Sequence, residues 1–467
     1  SIEGKRFAIT DDGGDSFASK IKSRLENAGA QADIIRSDAD ITSYDGLILI
    51  NATASPDKYS IHDLFTLIQG AKLKHLKWVF TFSDIITKIE NDKNLEGIKQ
   101  IQGFSGLLKT LNLEYPEIKF RSVLSYSPFD PETLPQIVLD ELSVDDIFPE
   151  VIYKGNERLI DSAKMENLVL DNADTSTNLK LDKDSVVLVL GGAQGISPEL
   201  TRQLAMEYPC RYLLIGRSKQ IDDPDGVYAK LKTLVDIRKH LISVEGMKKP
   251  SEIESKIQKI FKSNQIGEAV KKIGETGAQV SYHPIDITDQ ENFRSFLQSV
   301  RKEYGKIDAI IHAAGLLHDK FFADKTWEIF GKVYQTKVNP LHVIMEEMGD
   351  DLKLLVLFSS VASSYGSVGQ SDYAAANSVL DFTASLNGLK PDLRIVAFNW
   401  GPWKGAGMVS ESLEAEFARK GISLIPLKEG GAYFVQELKY GKASRIVVMG
   451  GRGEVENFFK SVEDAQK

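Results

Sequence analysis

The chain has 467 residues, 42% hydrophobic and 26% charged, the make-up of a globular protein with two or three domain-sized units and a core that needs no staple. Its 57 Lys and Arg against 66 Asp and Glu leave a net charge of −9, which argues against a nucleic-acid-binding surface. The single cysteine, Cys210, excludes an internal disulfide and a multi-cysteine zinc site, and it suits a reducing, cytoplasmic setting.

No apolar run reaches the roughly 18 residues of a membrane span. The start, Ser1-Ile2-Glu3-Gly4-Lys5, is not a signal peptide, and without an initiator Met it reads as a piece of a longer chain. Lys5 to Thr10 reads as a strand running into a turn, Asp11-Asp12-Gly13-Gly14. Residues 15–29 carry helical spacing with Phe17, Ile21, Leu25 and Ala28 on one side, closing at Gly29. Strands at 32–35, 46–50 and 78–82 and a helix near 60–71 follow, which predicts βαβ units around a parallel sheet. Two acids at Asp11-Asp12 would repel a pyrophosphate, so this half reads as a Rossmann-like module without cofactor. Val151-Ile152-Tyr153 is a further strand. The polar run from Asp171 to Asn178 then marks a boundary, predicting a structural unit over 1–178 and a second unit over 179–467.

The second unit restarts the alternation. Ser185 to Leu190 is continuously apolar, as a strand covered on both faces would be. Strands at 212–215, 279–282, 309–311, 354–358 and 395–398 follow. The fold class is therefore α/β with two Rossmann-like subdomains, the second doubly wound. Within the second, residues 219–277 form a long connection with helical content. Ser251 and Glu254 have capping-box spacing, and Ile253, Ile257, Ile260 and Phe261 form an apolar stripe that reads as a helix packed on the core.

After the buried strand stands Gly191-Gly192-Ala193-Gln194-Gly195-Ile196-Ser197, followed by a helix from Pro198. Glycines permit a tight turn, and a helix N-terminus offers free N–H groups to a pyrophosphate. The next strand ends Gly216-Arg217-Ser218, where an acid would bind a ribose 2′-hydroxyl and Arg217 suits a 2′-phosphate, so NADPH is predicted over NADH. Asp286-Ile287 and Ala313-Ala314-Gly315 lie at two more strand ends, on the edge where ligands bind in this architecture.

Lys337, Ser360, Tyr373 and Asn377 complete the pattern. Ser360 follows a buried strand, and Asn377 is one helical turn past Tyr373, so the two share a face. With these residues the chain resembles the short-chain dehydrogenase/reductase superfamily, and more narrowly the ketoreductase domain of modular polyketide synthases. Members of that family place Asn four residues after Tyr and the Lys upstream, as in Tyr373-Ala374-Ala375-Ala376-Asn377 and Thr336-Lys337-Val338-Asn339. The blocks at 191–195, 216–218, 286–289, His312 to Gly315, Gly369-Gln370-Ser371-Asp372-Tyr373 and Asn399-Trp400-Gly401-Pro402-Trp403 match as well. In the first half Phe104 to Leu111 and Arg158-Leu159-Ile160 carry a looser likeness to the family's truncated structural subdomain. The insertion and the Gly-Gln-Ser-Asp-Tyr run look like those of trans-acyltransferase or polyunsaturated fatty acid synthases.

The resemblance implies NADPH-dependent reduction of a β-ketoacyl thioester, delivered by an acyl carrier protein within a multienzyme, by a domain that is monomeric when isolated. It implies that Tyr373 gives the proton and Ser360 binds the carbonyl oxygen. Lys337 is expected to lower the phenol's pKa, with Asn377 positioning Lys337 or a water. Leu317-His318-Asp319 stands where members giving the D-hydroxy product have Leu-Asp-Asp, and Tyr365 stands where members giving the L-product have Trp, so the D product is expected. Gln370, Trp400 and Met408 belong to the same substrate-side set, Met408 in a lid over about 405–425 with Leu413 and Phe417 on one helix face. Two other readings compete: a free-standing reductase of a diffusible ketone, and a catalytically silent structural or docking domain. The seven scattered histidines give no metal-ligand pairing, and no Gly-x-Ser-x-Gly elbow occurs.

Overall fold

The structure is a computed structural model. It describes the whole chain except residues 11–16, 52–58, 72, 74, 85–102, 165–178, 389, 391, 406–410, 420–421 and 452–467.

Two seven-stranded sheets dominate. The first is built from β1 (Arg6–Thr10), α1 (Phe17–Asn27), β2 (Gln31–Ile35), β3 (Gly46–Asn51), α2 (Ile61–Gly70), β4 (Trp78–Asp84), α3 (Phe104–Glu114), β5 (Lys119–Ser125), α4 (Leu134–Ser143), β6 (Glu150–Lys154) and β7 (Glu157–Leu159). Its strand order is β2-β1-β3-β4-β5-β6-β7, parallel except for the β6–β7 hairpin. β2 passes to β3 without a helix, so this half is shortened in its connections and not in its sheet.

The second sheet comes from β8 (Val186–Leu190), α5 (Ser197–Glu207), β9 (Arg211–Gly216), α6 (Leu234–Ser243), α7 (Pro250–Gly274), β10 (Gln279–Pro284), α8 (Gln290–Tyr304), β11 (Ala309–His312), α9 (Trp327–Glu346), β12 (Leu354–Ser360), α10 (Val361–Tyr365), α11 (Ser371–Ala384), β13 (Arg394–Trp400), α12 (Glu411–Arg419), α13 (Leu427–Tyr440) and β14 (Arg445–Val448). The order is β10-β9-β8-β11-β12-β13-β14, and every pair is parallel. The winding reverses between β8 and β11, where an open α/β sheet has its ligand crevice.

The period of two in β8 divides its side chains between two cores. Val186, Leu188 and Leu190 face one, and Val187 and Val189 face the other. The first of these cores is shared by both halves. It joins Leu47, Leu49, α2 and α3 to α8, α9 and α11, so these helices are sandwiched between the two sheets. Phe65 on α2 packs against Phe322, Trp327 and Phe330 with ring centroids 5.1–5.5 Å apart.

The connection from β9 to β10 corrects the sequence reading at its helix start. Pro250 occupies the first turn of α7 and Lys249 is the N-cap, so Ser251 is already helical and caps nothing. Thr233 and Asp236 make a capping box instead, on α6. Ile253, Ile257 and Ile260 pack with Ile237 and Leu241 of α6 in a small core of their own. Only the far end of α7, with Ile266, Ala269 and Ile273, joins the core of the sheet. No helix among the described residues is long and apolar enough to cross a membrane.

Candidate active site

Three strand ends form a cradle. Gly191 and Gly195 take φ of +75° and +66°, backbone that favours glycine. A methyl on Gly191 would stand 2.9 Å from the Ala314 backbone, so the loops after β8 and β11 meet only because this residue has no side chain. Gln194 and Gly195 are exposed, and Ile196 packs partly on the core. α5 starts at Ser197, so its unpaired amides and positive end close the glycine turn. Arg217 is exposed immediately after β9, and the Ser218 carbonyl accepts from the Tyr282 hydroxyl at 2.7 Å. Asp286 accepts from the N–H and hydroxyl of Thr288 at 3.0 and 2.7 Å, while Ile287 turns into the core. Glycine cradle, helix N-terminus and exposed guanidinium together fit a phosphorylated dinucleotide.

Beside the cradle the four chemistry-bearing residues converge. Ser360 ends β12, and its Oγ caps α10 by accepting from Ala362 N–H at 3.2 Å. Tyr373 sits in the first turn of α11, partly exposed. Asn377, buried one turn later, donates Nδ2 to the Tyr373 carbonyl at 2.9 Å. Lys337 is buried on α9, with Nζ 2.7 Å from the Phe358 carbonyl and 5.6 Å from the centre of the Tyr373 ring.

Burial pushes Lys337 down to about 7, opposed by Asp381. Burial pushes the Tyr373 phenol up, with Asn377 and Ser360 acting the other way. The phenol is not lowered as expected, because burial outweighs the groups that favour the phenolate, and Lys337 gives its hydrogen bond to the Phe358 carbonyl. Behind it His312 is fully buried and held down at about 3 by burial and by Lys337. Its neutral ring donates from Nε2 to the Lys337 carbonyl at 2.8 Å.

A buried polar layer fixes the backbone below. Asp381 on α11 accepts from Asn399 Nδ2 and from the Ser363 hydroxyl, each at 2.6 Å, and burial raises its carboxyl. Asn399 also reaches the Ser360 carbonyl at 3.3 Å, and the Ser359 hydroxyl donates to the Asn377 carbonyl at 3.3 Å.

Two loops border the opening. Leu317, His318 and Asp319 follow β11, the last two exposed, and Gln370 donates from Nε2 to both Asp319 oxygens at 3.2 Å. The Lys320 N–H joins the loops by donating to the Gly369 carbonyl at 3.0 Å. Beneath them Lys325 and Asp372 form a buried ion pair. Lys325 also donates to the His318 carbonyl at 3.1 Å, and Asp372 accepts from the Tyr373 N–H at 2.9 Å.

The first half reaches this segment through one face of α3. Gly106 N–H donates to Ser378 Oγ at 3.3 Å, and Lys109 Nζ donates to the Ser363 carbonyl at 3.1 Å while pairing with Glu150 at 3.1 Å. Thr110 Oγ1 accepts from Ser367 N–H at 3.2 Å. Glu114 accepts from the N–H groups of Phe322 and Gly369, both at 2.8 Å, and burial raises its carboxyl.

Other expected residues are placed differently. Trp400 is 5% exposed and stacks on Phe398 at 5.0 Å inside the aromatic core, so it does not border the opening. Tyr365 ends α10 and is partly buried, beside Gly366, whose φ of +74° lets the chain pass close to the Lys109 carbonyl. Met408 lies outside the described residues, although the base of its segment is pinned where Trp403 bridges Ile425. Sequence reasoning missed Glu114, Lys109, Lys325 and Asp381. For Lys109 and Glu114 the available signal was polar residues at helical spacing on α3.

The KR domain family model matches residues 185–405. A polyunsaturated fatty acid synthase polypeptide of Thraustochytrium sp. is 29% identical over 365 residues, 74% of this chain and 12% of that protein. Polyketide synthase PksN of Bacillus subtilis is 26% identical over 377 residues, 79% of this chain and 6% of that protein. The chain thus spans a small fraction of the curated relatives it matches. Among solved structures, a ketoreductase domain from the bacillaene assembly line superposes with a TM-score of 0.66 at 21% identity, covering 97% of this chain and 94% of its own. A C2-type ketoreductase from a modular polyketide synthase gives 0.71 at 17% identity, with the same coverage of both chains.

Proposed function

We propose that this chain, which matches the KR domain family over residues 185–405, is a ketoreductase domain of the polyketide synthase kind within the short-chain dehydrogenase/reductase superfamily, and that it reduces a β-ketoacyl thioester to the β-hydroxyacyl thioester with NADPH. The observation that carries the reading is the convergence of Tyr373, Ser360, Asn377 and Lys337 beside the glycine cradle.

Gly191, Gly192, Gln194, Gly195 and Ile196 would hold the pyrophosphate, and Arg217 with Ser218 the 2′-phosphate. Asp286, Ile287, Ala313, Ala314 and Gly315 would line the rest of the crevice. The chemistry the nicotinamide supplies when bound is hydride delivery to the ketone carbon. Ser360 Oγ then hydrogen-bonds the oxygen on which charge develops, and the Tyr373 hydroxyl gives it a proton. A phenol raised by burial is fully protonated at neutral pH, which suits a donor. Lys337, held at about 7 by burial, can return the proton, with Asn377 fixing the turn of α11 that carries Tyr373.

The relatives are synthases far longer than this chain, which supports delivery of the substrate by an acyl carrier protein on a phosphopantetheine arm, with other domains of a multienzyme as neighbours. The proposed division is a structural unit over 1–178 and a catalytic unit over 179–467, the latter with a lid over about 405–425. The contact of Gln370 with Asp319 supports the D-hydroxy product, since it holds the retained Asp of the Leu-His-Asp run in the opening.

The test is NADPH oxidation with the acetoacetyl thioester of N-acetylcysteamine, with Tyr373→Phe beside the parent and chiral analysis of the product. Oxidation by the parent alone, giving D-3-hydroxybutyryl thioester, is expected. A folded Tyr373→Phe with near-normal turnover overturns the assignment of the acid, and NADPH binding without any oxidation favours a silent domain.

A further inference from the structure

Glu114 belongs to the half of the chain that carries no cofactor cradle, at the last turn of α3. Its two carboxylate oxygens go to different places. Oε2 accepts from Phe322 N–H at 2.8 Å, in the segment that follows Leu317-His318-Asp319. Oε1 accepts from Gly369 N–H at 2.8 Å, next to Gln370. The Phe322 and Gly369 segments are the two that border the opening, and Gln370 and Asp319 meet across it.

A single carboxylate therefore ties both borders to one rigid helix. That helix cannot slide, because Gly103 and Gly106 lie so close to the Ala375 and Ala374 carbonyls that a methyl on either would stand 2.3 or 2.0 Å away. Carboxylate-to-amide bonds are charge-assisted, and bridging two amides requires an acceptor at each end.

We infer that Glu114 is a positioning residue for specificity, clamping the loops at Phe322 and Gly369 so that the Asp319–Gln370 contact orients the acyl thioester. The inference rests on the reductase reading above. It sets how substrate is oriented and leaves cofactor binding alone, because none of the cradle loops touches Glu114.

Glu114→Gln tests it. The amide keeps one acceptor and turns an NH₂ toward the other N–H, releasing one loop. With acetoacetyl N-acetylcysteamine, the variant is expected to raise KM by about tenfold, the scale of one lost charge-assisted bond. The enantiomeric excess of the product falls, while kcat stays within about twofold by the same scale and the NADPH Kd stays at the parent value. Amide exchange quickens in 317–325 or 366–372 and nowhere else.

Parent-like KM, enantiomeric excess and exchange overturn the inference. So does a joint loss of NADPH affinity and kcat, the mark of a merely structural role. If Glu114→Gln does not fold, Glu114→Asp carries the same measurements, since it keeps the charge but is one methylene too short to bridge both amides. A parent that oxidises no NADPH sinks the reductase reading, while the exchange pattern still decides whether the clamp exists.

Discussion

The Lys337 ammonium lies 5.6 Å from the centre of the Tyr373 ring yet gives its hydrogen bond to the Phe358 carbonyl, 2.7 Å away. Burial holds this group at about 7, far below the ordinary 10.5. Between those two values the unfolded chain carries a proton that the folded chain has shed, so stability rises as pH increases through that window. Lys337→Met removes the contribution. Urea midpoints taken at pH 7 and pH 9 should rise for the parent and rise less for the variant. Parallel changes would show that Lys337 is not titrating there.

Ser360 has two jobs, since the hydroxyl proposed to bind the substrate oxygen also caps α10. Ser360→Ala should lower turnover by about 10²–10³-fold, as loss of an oxyanion donor does. The lost cap should cost about 1 kcal/mol. Single-turnover kinetics and thermal unfolding read the two effects separately.

Arg217 stands exposed at the end of β9. Arg217→Ala should weaken NADPH binding by at least about tenfold, the loss of one charge-assisted contact, and leave NADH binding unchanged. Titration with both cofactors checks this. An equal loss for the two would place Arg217 away from the 2′-phosphate.

Gly106 faces the Ala374 carbonyl so closely that a methyl would stand 2.0 Å from it. Gly106→Ala should destabilise the protein by about 1–3 kcal/mol or more, because backbone must yield on both sides. The loss should appear as one cooperative transition in calorimetry, since α3 and α11 share a core.

Ile257 sits at the centre of the small core between α6 and α7. Ile257→Ala should cost that unit about 2–5 kcal/mol and expose it to protease. Turnover with the acetoacetyl thioester should not change, because the cluster is separate from the core under the site. A parallel fall in turnover would mean that the insertion supports catalysis.

Sequence patterns resolve best where local chemistry decides the outcome. β8 and β12 are continuous apolar runs, and the glycine turn and the spacing of Tyr373 and Asn377 follow from short-range geometry. β5 is harder to read, because it carries Arg121, a fully buried cation answered by Glu141 and Asp146 from elsewhere in the fold. The start of α7 departs from its capping-box spacing because a proline outcompetes a serine for the first turn. Trp400 has the sequence neighbours of a site residue, but the strand's alternation points it into the aromatic core. Glu114 lies 208 residues from Phe322 and 255 from Gly369, so no local pattern joins them. The raised Tyr373 phenol is hidden for the same reason, since burial is a property of the assembled fold.

The fit of α3 against α11 bears on how chains with this fold could be recombined. Glycine against carbonyl leaves no slack for a different partner surface, and four side-chain or backbone bonds from α3 end on residues 363–378. A chimera joined between the two halves would inherit one surface from each parent and match neither. Exchanging one half between related chains therefore means moving 104–114 together with 360–378, so that the unit of transplantation is the contact between the halves and not either half alone.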